Sequence, residues 1–302
     1  MHKRIKSIIF YVLHAMNDYK IFTDATADID ESLLKDLPEL GIIPMDILMD
    51  DVTYSYGPEG TIDHHSFYGM LTPQVDVKTT GINPEVYEEH FESSLKNGQD
   101  VIYICFTSGL SSTYNTARLI KAELKDKYPD RKIFCIDSLC ASIGEAFLVY
   151  ESLKKQKEGL SYDEMVEWIE TNKTDVAHWF TLDSFEYLVK GGRISSTSAA
   201  IATTLQIKPL LSVNEEGKLF VAGKTRGRHS ATASILKKID SDWKKENGNT
   251  IFVGHGNCEE EALQLKEKVL LHHPDADVKL LSIGPVIGCH TGPSILALVF
   301  WE

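Results

Sequence analysis

Two kinds of apolar pattern alternate along this chain. Short, nearly continuous apolar runs such as KIFTDA (20–25), VIYICF (101–106), KIFCIDS (132–138), TIFVGHG (250–256) and ILALVFWE (295–302) have the length of buried strands. Between such runs lie longer segments with helical spacing, among them PEVYEEHFESSLKNG, TYNTARLIKAELKDKYP, GEAFLVYESLKKQKEG and EEEALQLKEKVLLHH. LLKDLPELG predicts a helix ended by Gly41, and HHSFYGML and FEYLVKGG predict two more. IIPMDILMDD and VTYSY predict strands around an acidic turn. KPLLSVNEEGKLFVAGKTR predicts a hairpin turned at Glu215–Gly217. KTTGINP predicts a loop, with Asn83 capping a helix that opens at Pro84. The expected fold class is α/β, built as two α/β domains. The first carries a mainly parallel sheet and the second a mixed one. The expected division is an extension over 1–19, a domain over 20–159 and a domain over 160–302.

Composition narrows the partners. The formal net charge is -13, and no Lys/Arg run interleaves with aromatics, so the expectation is no nucleic acid and no anionic membrane as a main partner. The five cysteines are odd in number and lack CxxC spacing. Cys105 and Cys135 lie in apolar runs, so reduced thiols in a cytoplasmic protein are expected, with no zinc site. The N-terminal MHKRIKSIIFYVLHAM resembles the start of a signal peptide, but its apolar part is short, contains His14 and lacks a cleavage site. It reads as a cytoplasmic extension or an upstream start. No segment is long enough to span a bilayer, so stable membrane insertion is not expected.

Four motifs carry candidate chemistry. In CFTSGLSSTY (105–114) a strand ends in a Gly-containing turn and a helix begins under several hydroxyls. A helix start of this kind offers free N–H groups to a carboxylate or phosphate, and Ser111 or Ser112 can equally serve as a plain cap. Thr79 and Thr80 form a second hydroxyl pair, in a loop that would face the ligand crevice of an open α/β sheet. In IGPVIGCHTGP (283–293), glycines and prolines frame His290 in a shaped loop. KGGRIS (190–195) and KTRGR (224–228) are the local basic features of an acidic chain, and each offers an Arg able to grip a carboxylate.

Other chemistries lack their residues. The acidic run Asp24, Asp28, Asp30 has Ile29 where a calcium loop needs Gly. Gly254-His255-Gly256 has no third Gly in place for a dinucleotide. Neither GxxxxGK nor GxSxG occurs. The adjacent pairs His64-His65 and His272-His273 lack metal spacing.

Taken in order, FTDATADI, KTTGINP, TSGLSSTYNTA, IDSLCASIGEAFLV, LVKGGRIS, IKPLLSVNEEGKL and IGPVIGCHTGP resemble the motifs of the DegV family, over roughly residues 20 to 302. Gly81 and Ile82 depart from that family's Thr-Ser-Gln-Pro loop. The resemblance implies a long-chain fatty acid between the two domains and no other cofactor. It assigns Thr79, Ser108, Arg226 and His290 to the carboxylate, and Arg193 to docking a partner. It implies a lipid-carrying, non-enzymatic monomer that presents the carboxyl group to a separate ATP-dependent fatty acid kinase subunit. The competing expectation is a serine-dependent acyl hydrolase using Ser108 and His290.

Overall fold

The computed structural model describes residues 19–195 and 206–302, so the expected N-terminal extension and most of ISSTSAAIATTLQ lie outside the described residues. The chain opens with β1 (Tyr19–Asp24), then β2 (Leu40–Ile43), β3 (Met45–Met49), β4 (Val52–Tyr56), α1 (His64–Met70), β5 (Val77–Thr79) and α2 (Pro84–Lys96). It continues with β6 (Asp100–Cys105), α3 (Thr113–Lys127), β7 (Ile133–Asp137), α4 (Ile143–Glu158) and α5 (Tyr162–Asn172). The second half comprises β8 (Val176–Thr181), α6 (Glu186–Lys190), β9 (Ile207–Val213), β10 (Leu219–Arg226) and α7 (Arg228–Asp242). It closes with β11 (Thr250–His255), α8 (Glu259–His272), β12 (Asp277–Ser282), α9 (Pro285–Thr291) and β13 (Leu296–Trp301).

The N-terminal sheet has the order β2-β1-β6-β7 and is parallel throughout. A small antiparallel sheet, β4-β3-β5, sits beside it. The C-terminal sheet, β10-β9-β8-β13-β11-β12, is mixed: β11 and β12 run parallel and its other neighbours antiparallel. The parallel-then-mixed architecture expected from the sequence is the one observed.

Helix α4 joins the two sheets. It is buried on nearly every side, including Phe147, Leu148, Val149 and Leu153, which is the pattern of a helix inside a core rather than on a surface. It packs on β6 of the parallel sheet and on β8, β11 and β13 of the mixed sheet. One apolar cluster therefore runs from Ile21 and Ile104 through Phe147 to Phe252 and Trp301. The helix ends at Gly159 in a left-handed conformation, where the sequence predicts the division between domains.

Two segments differ from expectation. LLKDLPELG forms no α-helix. A short 3-10 turn, Glu31–Leu34, stops ahead of Pro38, and the chain enters β2. Pro38 would break a helix over this stretch. Gly41 is a strand residue paired with Phe22, and a Cβ there would lie 2.2 Å from the Phe22 ring. The glycine that signals a helix end thus serves a close strand contact. Conversely, the expected loop at 283–293 contains α9, with Pro285 at its first position and Gly292 (φ 72°) beyond its last residue.

Candidate functional site

A narrow cavity lies between the two sheets, lined by side chains from both, the kind of place where small-molecule sites form. Its lining is mostly apolar, with Phe106, Ile143, Phe180 and Ile287 among the contributors. Four polar side chains from distant parts of the chain meet in it: Thr79, Ser111, Arg193 and His290.

The ends of regular elements place them. Thr79 closes β5, fixed by pairing with Ile47. His290 lies in the last turn of α9. Thr79 Oγ1 and His290 Nε2 hydrogen-bond at 3.0 Å, while His290 Nδ1 is buried without a partner. Burial, with a smaller contribution from the positive charge of Arg193, pushes the imidazole down to about 4, so it is neutral near pH 7. Gly191 makes this packing possible, because a Cβ there would stand 2.2 Å from His290 Nδ1. Arg193 follows two residues later. Its Nε donates to Leu110 O at 3.2 Å and its Nη1 to Gly191 O at 2.5 Å. Among the described residues, no carboxylate pairs with this half-buried guanidinium. Ser111 follows Leu110, and its hydroxyl lies 2.8 Å from Thr113 Oγ1 at the start of α3.

Thr26 and Ser142 also line the cavity, but their hydroxyls are engaged. Thr26 Oγ1 donates to Asp24 and lies 2.9 Å from Glu145 Oε2. Ser142 Oγ donates to Asp28 at 2.7 Å. Asp28 also accepts Gly284 N–H at 2.8 Å, and Asp24 accepts the Tyr103 hydroxyl at 2.6 Å. Burial raises all three carboxyls, Asp28 to about 8. One hydroxyl proton cannot serve both Asp24 and Glu145. One of these two raised carboxyls therefore holds a proton and donates to the Thr26 hydroxyl.

The sequence-assigned residues thus divide. Thr79 and His290 are brought together in the cavity. Arg193, assigned to a partner surface, lines the cavity beside them. Ser108 does not line it: the residue is exposed, and its N–H and hydroxyl both donate to Asp137. Ser111, three residues on, is the serine of that turn in the cavity wall. Arg226 is exposed at the end of β10, bonded to Gln206 Oε1 at 3.1 and 2.9 Å, and is not in the lining. The pairing that a Ser108–His290 hydrolase needs is not formed, since Ser108 turns to an aspartate and His290 to a threonine. The sequence offers Ser111 and Ser112 alike at the start of α3, and only the packing singles out Ser111.

No group of three or more metal-ligating side chains occurs among the described residues, and no helix among them is long and apolar enough to cross a membrane.

Residues 18–302 match the family described as "Uncharacterised protein, DegV family". A DegV domain-containing protein of Clostridium perfringens is 36% identical over 285 residues, covering 94% of this chain and 98% of that protein. One from Streptococcus pyogenes serotype M1 is 30% identical, covering 93% and 96%. Among solved structures, a stearic acid-binding protein from Eubacterium ventriosum superposes with a TM-score of 0.84 at 26% identity, covering 93% of this chain and 97% of that one. DegV of Bacillus subtilis, a fatty acid binding protein, superposes with a TM-score of 0.81 at 25% identity, covering 93% and 98%.

Proposed function

This chain belongs to the DegV family, and we propose that it binds one long-chain fatty acid in the inter-sheet cavity, with the carboxylate on Thr79, Ser111, Arg193 and His290. The observation that carries this reading is Arg193. A half-buried cation lining an apolar cavity, with no carboxylate partner among the described residues, is a site short of one anion. An acyl carboxylate supplies that charge, and its tail fills the apolar remainder. Burying a C16 tail contributes roughly 10 kcal/mol gross at about 0.8 kcal/mol per methylene, from which association costs are subtracted. The fatty acids bound by the similar Eubacterium and Bacillus proteins support the same ligand class.

The finer role is that of a cytoplasmic, monomeric carrier. The chain has no Walker-type loop, so a separate ATP-dependent kinase subunit would phosphorylate the presented carboxyl group. In this reading Arg193 serves the ligand rather than the partner.

Native mass spectrometry of the purified chain tests the binding. The expected result is one fatty acid per chain, released on denaturation. A protein that stays ligand-free after incubation with several free fatty acids would overturn the reading. Incubation with ATP and fatty acid should yield acyl phosphate only when a kinase subunit is added; acyl phosphate from the chain alone would end the carrier role.

A further inference from the structure

The mixed sheet walls the cavity in transverse rows, and their order along the strands gives the cavity a direction. β8 and β13 are antiparallel, with Ala297 opposite Phe180 and Val299 opposite His178. Phe180 also pairs with Leu211, so the same antiparallel register places His178 opposite Val213, which faces Leu219 on β10. One row is therefore Ala297, Phe180 and Leu211, of which Ala297 and Phe180 line the cavity. The next is Val299, His178, Val213 and Leu219, displaced by two strand positions, about 6.6 Å. His290 and Thr291 precede β13, and Leu188 and Arg193 follow β8, so the polar end lies at one edge of the sheet. The second row is the farther from that edge.

Beyond the second row lies another space. A polar cleft has Lys173, Asn214, Glu215, Glu216 and Glu302 in its lining, all past the row in the same direction. Cavity and cleft share three residues: His178, Trp179 and Val213. Two of these are held by other interactions. His178 Nδ1 donates to Val176 O at 2.9 Å, and its Nε2 accepts Ala141 N–H at 3.4 Å. α4 also presses on this ring, since a Cβ at Gly144 would lie 1.8 Å from Nε2. Trp179 packs in the cluster on the opposite face of the sheet, with Lys238 Nζ 4.1 Å from its ring centroid. Val213 is partly exposed, at the last position of β9, and no polar contact holds its side chain.

We propose that Val213 sets the longest acyl chain this protein accepts, as the removable part of the wall between the tail end of the cavity and the polar cleft. The proposal rests on the fatty-acid reading above. A methyl terminus that reaches Val213 is still in apolar surroundings. Further methylenes must either displace the valine or enter a cleft lined with charged residues. Affinity should therefore rise about fourfold per added methylene up to a limit, and then fall.

The test is a binding series on the full chain stripped of lipid, using saturated acids of about 12 to 22 carbons. Wild type should show an optimum length. Val213→Ala should move that optimum to longer acids, and Val213→Phe should move it to shorter ones, each by two carbons or more. If no acid of any length binds wild type, the fatty-acid reading itself fails. If wild type shows an optimum that neither folded variant moves, the fatty-acid reading stands and Val213 is not the stop. Should Val213→Ala fail to fold, Val213→Phe alone decides, since an unchanged optimum in that variant overturns the proposal.

Discussion

Two sets of polar side chains gather between the sheets, and they differ in whether their hydrogen bonds close. Around Asp24, Asp28 and Glu145 the named carboxyl oxygens meet a hydroxyl or an N–H, from Thr23, Thr26, Tyr103, Ser142 and Gly284. Such a network ties β1, β6, α4 and the start of α9 together and leaves little for a ligand to gain. Around Thr79, Ser111, Arg193 and His290 the bonds do not close: among the described residues, His290 Nδ1 has no partner and the Arg193 charge no carboxylate. The protein tolerates that deficit in the second set, and a bound anion would relieve it. Burial and completeness of bonding go together: the closed carboxyls are fully buried, whereas the four unclosed side chains are each partly exposed.

Breaking the closed network should have the largest effect. Asp24→Ala leaves the Tyr103 hydroxyl and the Thr26 N–H without their carboxylate in the core, and should cost about 3–5 kcal/mol of stability, read as a shift in the urea midpoint. A loss under 1 kcal/mol would mean the network is not closed as described. Arg193→Ala should behave oppositely. It should lower fatty-acid affinity by about 1.5–3 kcal/mol, the worth of a hydrogen bond to a charged group, by calorimetry, with the urea midpoint nearly unchanged. Loss of stability without loss of affinity would place Arg193 with the structural set.

The closed set should also leave a pH signature. Burial holds the Asp28 carboxyl up to about 8, against the opposing hydrogen bonds of Ser142 and Gly284. The unfolded chain releases this proton near the ordinary value of about 3.9. Between those values the folded state binds the extra proton, so this group's contribution to stability falls as pH rises through that window. Asp28→Asn keeps the shape without the titration, and urea midpoints measured across the window should fall less steeply in the variant. An unchanged slope would assign the effect to Asp24 or Glu145, whose carboxyls burial also raises. The smallest contrast lies within one turn. Ser111→Ala should weaken binding by about 1 kcal/mol, and Ser108→Ala should leave it unchanged. The reverse order would return the carboxylate to Ser108.

Much of the fold was legible because its signals are local. The apolar runs of β6, β7, β11 and β13 and the helical spacing of α2, α3 and α8 act over one element's length. The hairpin turn at Glu215–Gly217 and the cap at Asn83 are equally local; Asn83 Oδ1 accepts Glu85 N–H at 3.4 Å. Local signals mislead where one residue type serves two structures. Gly41 marks a helix end by type but a strand contact with Phe22 by position, and the glycines and prolines around His290 bracket a helix rather than a loop.

By itself, the sequence determined the α/β class, the parallel-then-mixed order of the sheets and the motifs that carry the family. Capping, periodicity and turn chemistry are set by neighbours a few residues apart. Tertiary structure alone decided which serine of the turn reaches the cavity, and that Arg193 lines it and Arg226 does not. Those outcomes depend on contacts such as Thr79 with His290, 211 residues apart. No spacing rule reaches that far, because such distances are set by how two sheets pack on one shared helix.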